Sequence, residues 1–358
     1  MKFLKVSLYF IGIFLAFITI IISVGSAVCK FSDLPGNALI QACGYVTYPI
    51  VLALASLALL SFLLFGRIRM ALSYLGMMFV FALLLSDLSF NFLKHKMAIN
   101  IEAYDDLKVA ALNVRYYLSG IENITDFIKN SDFDLVLLSE SVLNREKIEY
   151  LKDNLKVYTL LTDDGNDLSL LSRYPVLYQK IVELPTYPAS LSGGNDIEKL
   201  GTNRIHRSFI HAVVNVKGTP VNVLSIRLIA GRPKNWSIGE GLRWGRYLLG
   251  AQNEELSVFL TYLRSLKGPV IFGGDLNVTP NSAIIHRIKQ FADDSYLDTH
   301  AFGSSTFSTS FPMKRVDYIF HSVDVIAKNS EVIRINLSDH FPLRAEFLIK
   351  KENAQAKK

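Results

Sequence analysis

The chain has 358 residues, half of them apolar and a fifth charged, with two cysteines and a formal net charge of +6. These values exclude an intrinsically disordered chain, a collagen-like repeat and a disulfide-stapled scaffold, and the length suits one large domain or two modest ones. The charge is uneven: residues 1–96 hold seven Lys/Arg against two Asp/Glu, while 97–349 hold 27 against 29, so the body lacks the basic excess of a strong nucleic-acid binder.

The first 96 residues read as a membrane anchor. Leu8 to Cys29 carries no charge over 22 residues, and about 20 helical residues cross a bilayer core. A second uncharged run, Val46 to Phe65, is closed by Gly66-Arg67-Ile68-Arg69. A third starts at Met70 and is broken only by Asp87 before Lys94-His95-Lys96. Three transmembrane helices are therefore expected, over about 8–29, 46–65 and 70–93. Lys2, Lys5, Arg67 and Arg69 share one side, and Lys30, Lys94 and Lys96 the other. The positive-inside rule then places the N-terminus in the cytoplasm and everything after Lys96 outside, periplasmic or extracellular. Cys29 and Cys43 flank the first outer loop, where they either pair or stand as two buried thiols.

Residues 97–349 read as one α+β domain. Strands are expected at Leu107–Leu112, Asp134–Leu138, Val157–Leu161, Leu168–Leu171, Ile210–Val216, Val221–Ile226, Val270–Phe272, Val316–Phe320 and Leu343–Leu348. Helical periodicity runs through Gly120–Ile128, Leu143–Leu155, Gly241–Leu266 and Asn281–Phe291. The strands come mostly in pairs, which favours a layered sandwich over a doubly wound parallel sheet. Thr186–Asn203 and Ala230–Ile238 lack periodicity and read as substrate loops, and the Lys-rich segment 350–358 as a disordered tail.

Polar residues cluster at strand ends. Leu112-Asn113-Val114-Arg115 closes the first strand and Leu138-Ser139-Glu140 the second. Gly273-Gly274-Asp275-Leu276-Asn277 closes a later one, Arg315-Val316-Asp317-Tyr318 opens another, and Ser338-Asp339-His340 precedes the last. Each alone reads as a turn or a cap. In this order, and with Leu171-Ser172-Arg173-Tyr174-Pro175, they resemble the endonuclease/exonuclease/phosphatase superfamily, over about residues 105–349. That group includes pancreatic-type deoxyribonucleases, neutral sphingomyelinases and inositol polyphosphate 5-phosphatases. The resemblance implies a four-layer α/β/β/α sandwich, as in deoxyribonuclease I, with the site at one edge of both sheets.

It also implies roles. Glu140, Asp339 and the amide oxygen of Asn113 form a hard-oxygen set that suits Mg²⁺ or Mn²⁺ and does not suit zinc. By the resemblance, Asp275 deprotonates the attacking water, Asn277 holds that water or a phosphate oxygen, and His340 contacts the scissile phosphate with Asp317 fixing its tautomer. One position departs from the family. Where many members carry the His of a Thr-His-Leu motif, this chain has Ile226-Arg227-Leu228. Arginine cannot serve as a general acid near neutral pH, but it can bind phosphate, and a cation buried there requires a phosphate or carboxylate partner.

The expected function is that of a membrane-anchored, Mg²⁺-dependent phosphoesterase acting on a phosphodiester, in nucleic acid or a lipid headgroup. The alternative is a scaffold of the same fold, impaired at Arg227. The expected partners are the bilayer and the substrate, with no obligate protein partner evident. Sequons occur at Asn123, Asn235, Asn277 and Asn336, and a glycan on Asn277 would block the site, which favours a bacterial inner membrane.

Overall fold

The computed structural model describes residues 2–31, 43, 48–85, 101–162, 167–188, 204–230, 238–307 and 314–351. They form two compact units. One comprises Met1–Leu88, Val278–Gln290 and Ser310–Lys314, the other Ser89–Asn277, Phe291–Thr309 and Arg315–Lys358.

The first unit contains α1 (Lys2–Phe31), α2 (Tyr48–Leu64), α3 (Ile68–Leu85) and, from later in the chain, a short helix at Ala283–Ile288. Small residues let α1, α2 and α3 approach closely: Ala16, Ala55, Ala58 and Ala71 are buried around Phe62 and Tyr74. A Cβ on Gly12 would lie 2.1 Å from Ser61 Oγ. Phe10, Phe14 and Phe17 of α1 point outward, each about 60% exposed, so the helix presents an apolar exterior. Among the described residues only α1 is long and apolar enough to cross a bilayer, over the 22 residues Ser7–Val28 at mean hydropathy 2.5. Instead of spans over 46–65 and 70–93, the chain has two shorter apolar helices, Ile50–Leu64 and Ile68–Ala82. The break between them is a glycine cap. Gly66 adopts φ 65°, donates to Leu63 O at 3.0 Å, and Arg67 N donates to Phe62 O at 2.9 Å. Residues 46–47 and 86–93 of the expected spans lie outside the described residues, as do the Cys29 side chain, the loop segments 189–203 and 231–237, and the tail 352–358.

The second unit is built on two six-stranded sheets. The first has the order β11-β12-β1-β2-β4-β3, with β1 Tyr104–Asn113, β2 Leu135–Ser139, β3 Thr159–Thr162, β4 Leu168–Ser172, β11 Val325–Val332 and β12 Leu343–Lys350. The second has the order β5-β6-β7-β8-β10-β9, with β5 Val176–Pro188, β6 Arg204–Val216, β7 Thr219–Ser225, β8 Val270–Asp275, β9 Asp293–Asp294 and β10 Asp317–His321. Alternate residues of each strand face opposite ways. Leu107, Val109 and Ala111 of β1 pack against the second sheet in a shared core with Val221, Val223 and Ile271. Ala110 and Leu112 face the other way, onto Ile124 and Ile128 of α4 (Ile121–Lys129) and Leu151 of α5 (Arg145–Asn154). On the far side of the second sheet, Phe259 of α6 (Ile238–Ser265) meets Phe209 and Phe272 at ring separations of 5.1 and 5.2 Å. The layers are thus α/β/β/α, as the sequence implies.

Each sheet contains one parallel pair, β1 with β2 and β7 with β8, and both lie at its centre. Antiparallel neighbours alternate their ends, so only a parallel pair delivers two carboxyl ends to the same edge. Asn113 pairs with Ser139 at one such edge and Ser225 with Gly273 at the other.

The two glycines before Asp275 permit this convergence. A Cβ on Gly273 would lie 2.2 Å from Tyr318 O, and one on Gly274, at φ 134°, would lie 2.2 Å from Ile226 O. Both obstacles are backbone, which cannot rotate away. Gly274→Ala is expected to destabilise the protein by about 1–3 kcal/mol or more, through overpacking and a strained φ, and to lower the denaturant midpoint accordingly.

Candidate active site

The strand ends bring five of the expected residues, Asn113, Asp275, Asn277, Asp317 and His340, to one place. Asp275, at the end of β8, is paired in antiparallel register with Asp317, at the start of β10. Both are about 1% exposed. Asp275 accepts from Asn113 Nδ2 on Oδ2 at 2.9 Å and from the Asn277 backbone on Oδ1 at 2.9 Å. Asn277 turns back in the left-handed region, φ 53°, and donates its amide to Leu228 O at 3.0 Å. His340 Nδ1 bonds Asp317 Oδ2 at 2.8 Å, and its Nε2 lies 4.0 Å from Asp275 Oδ2. The Phe307 ring covers the imidazole, with centroids 4.7 Å apart. Thr306 Oγ1 accepts from the backbone N–H groups of Val316 and Asp317, each at 3.1 Å, which fixes the start of β10.

Charge is distributed unequally over these groups. Burial pushes the Asp275 carboxyl up, with Asp317 and Glu140 adding to it against the pull of His340 and Arg227, to about 6. Burial would depress the His340 imidazolium, but Asp317 and Asp275 outweigh it and raise the group to about 9. Near neutral pH this pairs an ionised carboxylate with a protonated imidazole. Asp275, Asp317 and His340 lie close enough to hold a metal ion, their ligand atoms all within 4.8 Å of one another. Yet metal ligation needs a neutral imidazole with an available nitrogen lone pair. With Nδ1 bonded to Asp317, His340 presents only Nε2 to the site, as a proton donor when charged or as a ligand when neutral.

The oxygen set expected for a cation lies on neighbouring turns. Glu140 follows β2 in the left-handed region at φ 53°. Asp339 is partly exposed and lies 3.4 Å from Arg115 Nε. Asn113 Oδ1 accepts from the Arg115 backbone at 2.9 Å. Arg115, Tyr116 and Tyr117 all have positive φ, between 46° and 62°, so the chain leaves β1 in a tight left-handed turn. Two carboxylates and an amide oxygen, two of them on solvent-accessible turns, fit a hard divalent cation that keeps part of its water.

Arg227 is 4% exposed and sits among carboxylates. Its Nη2 donates to Glu140 Oε1 at 2.7 Å, its Nη1 donates to Asp167 Oδ2, and its Nε, which makes no hydrogen bond, lies 3.9 Å from Asp275 Oδ2. The required anionic partner is thus supplied by the protein. Burial works against this guanidinium, but Asp167 and Glu140 hold it firmly charged. Sequence reasoning missed Asp167, the last residue of an Asp-Asp-Gly-Asn-Asp run that reads as an ordinary turn before a strand.

The model of the Endonuclease/Exonuclease/phosphatase family matches residues 110–340 of the chain. By structure the chain is similar to an endonuclease/exonuclease/phosphatase from Bacteroides vulgatus, at 20% identity and a TM-score of 0.51, covering 68% of this chain and 98% of that one. It is also similar to a functionally unknown conserved protein from Enterococcus faecalis V583, at 17% identity and a TM-score of 0.50, covering 67% and 99%. At these identities the likeness shows the fold. No curated protein matches the chain.

Proposed function

The chain belongs to the Endonuclease/Exonuclease/phosphatase family, and from that membership we propose that it is a divalent-metal-dependent phosphoesterase that hydrolyses a phosphodiester. The observation that carries this reading is the Asp275–His340–Asp317 cluster, in which a buried carboxylate at about 6 stands beside an imidazolium at about 9. Two titratable groups driven apart in this way define a base and an acid. Asp275 takes the proton of an attacking water that Asn277 helps to hold. His340, kept protonated by Asp317, donates a hydrogen bond to the phosphoryl oxygens. Arg227 offers its unbonded Nε to the same charge. Glu140, Asp339 and Asn113 would hold Mg²⁺ or Mn²⁺, which supplies Lewis-acid neutralisation of developing charge when bound. No general acid stands at Arg227, so good leaving groups should turn over faster than poor ones. An impaired scaffold is the weaker reading, because the acid keeps its hydrogen bond to its orienting carboxylate and the base stands 4.0 Å from the acid.

The N-terminal unit is read as the membrane anchor, supported by the length and hydropathy of α1 and its outward phenylalanines. The test uses the full chain in detergent with Mg²⁺, on an activated phosphodiester and on panels of DNA, RNA, phospholipid and sphingomyelin. Hydrolysis that chelator abolishes and Mg²⁺ restores is the expected result. Glu140→Gln is expected to weaken Mn²⁺ binding about 10- to 100-fold, read by titration calorimetry, with the melting temperature little changed. Chelator-resistant hydrolysis would remove the metal from the reaction.

A further inference from the structure

Arg227 does not stand alone. Behind it, three charged side chains from distant parts of the chain are buried in a continuous line. Asp167, just before β4, accepts Arg227 Nη1 on Oδ2. The same carboxylate accepts Arg207 Nη1, at 3.3 Å on Oδ1 and 3.4 Å on Oδ2. Arg207, on β6, also donates Nη2 to the main-chain oxygen of Arg227 at 2.6 Å. Arg207 therefore grips Arg227 twice, once directly at its backbone and once through Asp167 at its side chain. Glu255 of α6 closes the line, accepting Arg207 Nε on Oε1 at 3.1 Å and the Ile229 backbone on Oε2 at 2.7 Å. Signs alternate along Glu255, Arg207, Asp167, Arg227 and Glu140, and the middle three are all under 8% exposed.

Such a line is costly to bury and is a poor source of stability compared with apolar packing. Its geometry, however, is specific. Glu140 has one oxygen occupied by Arg227, and how far the guanidinium leans onto that oxygen depends on what holds its other arm. We propose that Asp167, held by Arg207, is a positioning residue: by taking Nη1 of Arg227 it limits the guanidinium to one oxygen of Glu140 and keeps that carboxylate competent to bind a divalent cation. Without Asp167, Arg227 turns its full charge to Glu140 and competes with the cation there. This role rests on the reading of Glu140 as a cation ligand.

The test measures free Mn²⁺ by electron paramagnetic resonance with the full chain in detergent, for Asp167→Asn in the parent background and in an Arg227→Met background. In the parent, Asp167→Asn is expected to weaken Mn²⁺ binding about 10- to 100-fold, the range for groups that orient a metal ligand. In Arg227→Met the same change is expected to move it by less than about twofold, because nothing remains for Asp167 to position. Equal losses in the two backgrounds indicate a general structural role and overturn the proposal, as does a change within about twofold in the parent. If Asp167→Asn alone does not fold, Arg207→Lys supplies the same comparison, since it keeps the charge beside Asp167 and loses one of the two grips. Absence of Mn²⁺ binding by the parent itself overturns the metal reading and this role with it. Binding by the parent that is insensitive to both substitutions overturns the positioning role alone.

Discussion

Asp275→Asn is expected to lower kcat by about 10²- to 10⁴-fold while cation binding persists, since the attacking water then has no base. The carboxylate meets a donor on each oxygen, the Asn277 backbone on Oδ1 and Asn113 Nδ2 on Oδ2. An amide can accept only one of them and sets its NH₂ against the other. Asn113 cannot relieve this by flipping, because its Oδ1 already accepts from the Arg115 backbone. A stability loss of about 1–3 kcal/mol therefore accompanies the loss of turnover. It is visible in the melting temperature, so activity is to be compared well below the transition. In the parent, turnover should rise with pH through about 6, as Asp275 ionises. Parent-like turnover in Asp275→Asn would remove the residue from the mechanism.

The second large effect concerns Asp317, which touches the imidazole and not the water. Asp317→Asn removes the nearest anion from His340 Nδ1 at 2.8 Å. Burial, which opposes the charged ring, then faces Asp275 and Asp339 alone, so the imidazolium falls from about 9. The alkaline limb of the pH–rate profile should move down with it, and kcat at pH 8 should drop by about 10²- to 10⁴-fold, as when the carboxylate behind a catalytic imidazole is lost. Stability carries the same signature. A group raised on folding stabilises fully below its unfolded pKa, about 6.5 for His, and loses that contribution as pH rises through its folded value. The parent should therefore lose stability between about pH 6.5 and 9, and Asp317→Asn should lose much less over that window. Identical pH–stability curves would show that the pair contributes nothing through charge.

The parts of this architecture that sequence made legible were those with local signatures. β2 and β8 are buried along their length, β1 over Val109–Asn113 and β7 over Val221–Ser225, and each largely apolar stretch ends in a polar residue. β5 was missed. It carries Pro185 and Pro188, and Leu177, Tyr178 and Ile181 are exposed, so it has neither an apolar run nor a clean alternation. β11 reads Val-Ile-Ala-Lys-Asn-Ser-Glu-Val and is broken by an irregularity between Ala327 and Asn329. At the site, Asp275, Asn277, Asp317 and His340 could be read because each sits in a short motif. The Asp167–Arg207–Glu255 line could not, since its members lie 40 and 48 residues apart and each sits beside other charges in a segment with no site motif. Arg207 is buried between the carboxylates of Asp167 and Glu255.

The two sheets also differ in when they can exist. β5 to β10 follow one another in the chain, so every partner of the second sheet is present once β10 has been made. In the first sheet, β1 lies between β2 and β12, with Tyr104 opposite Lys350 and Ala111 opposite Leu343. That strand must wait, half-paired, for a segment more than 200 residues downstream. Loop closure of this length slows folding and leaves an edge open to other chains in the meantime. During synthesis, then, the sheet carrying Asp275 can close on its own, while the one carrying Asn113 and Glu140 is completed by β12, and the reactive groups first come together when the last strand is added.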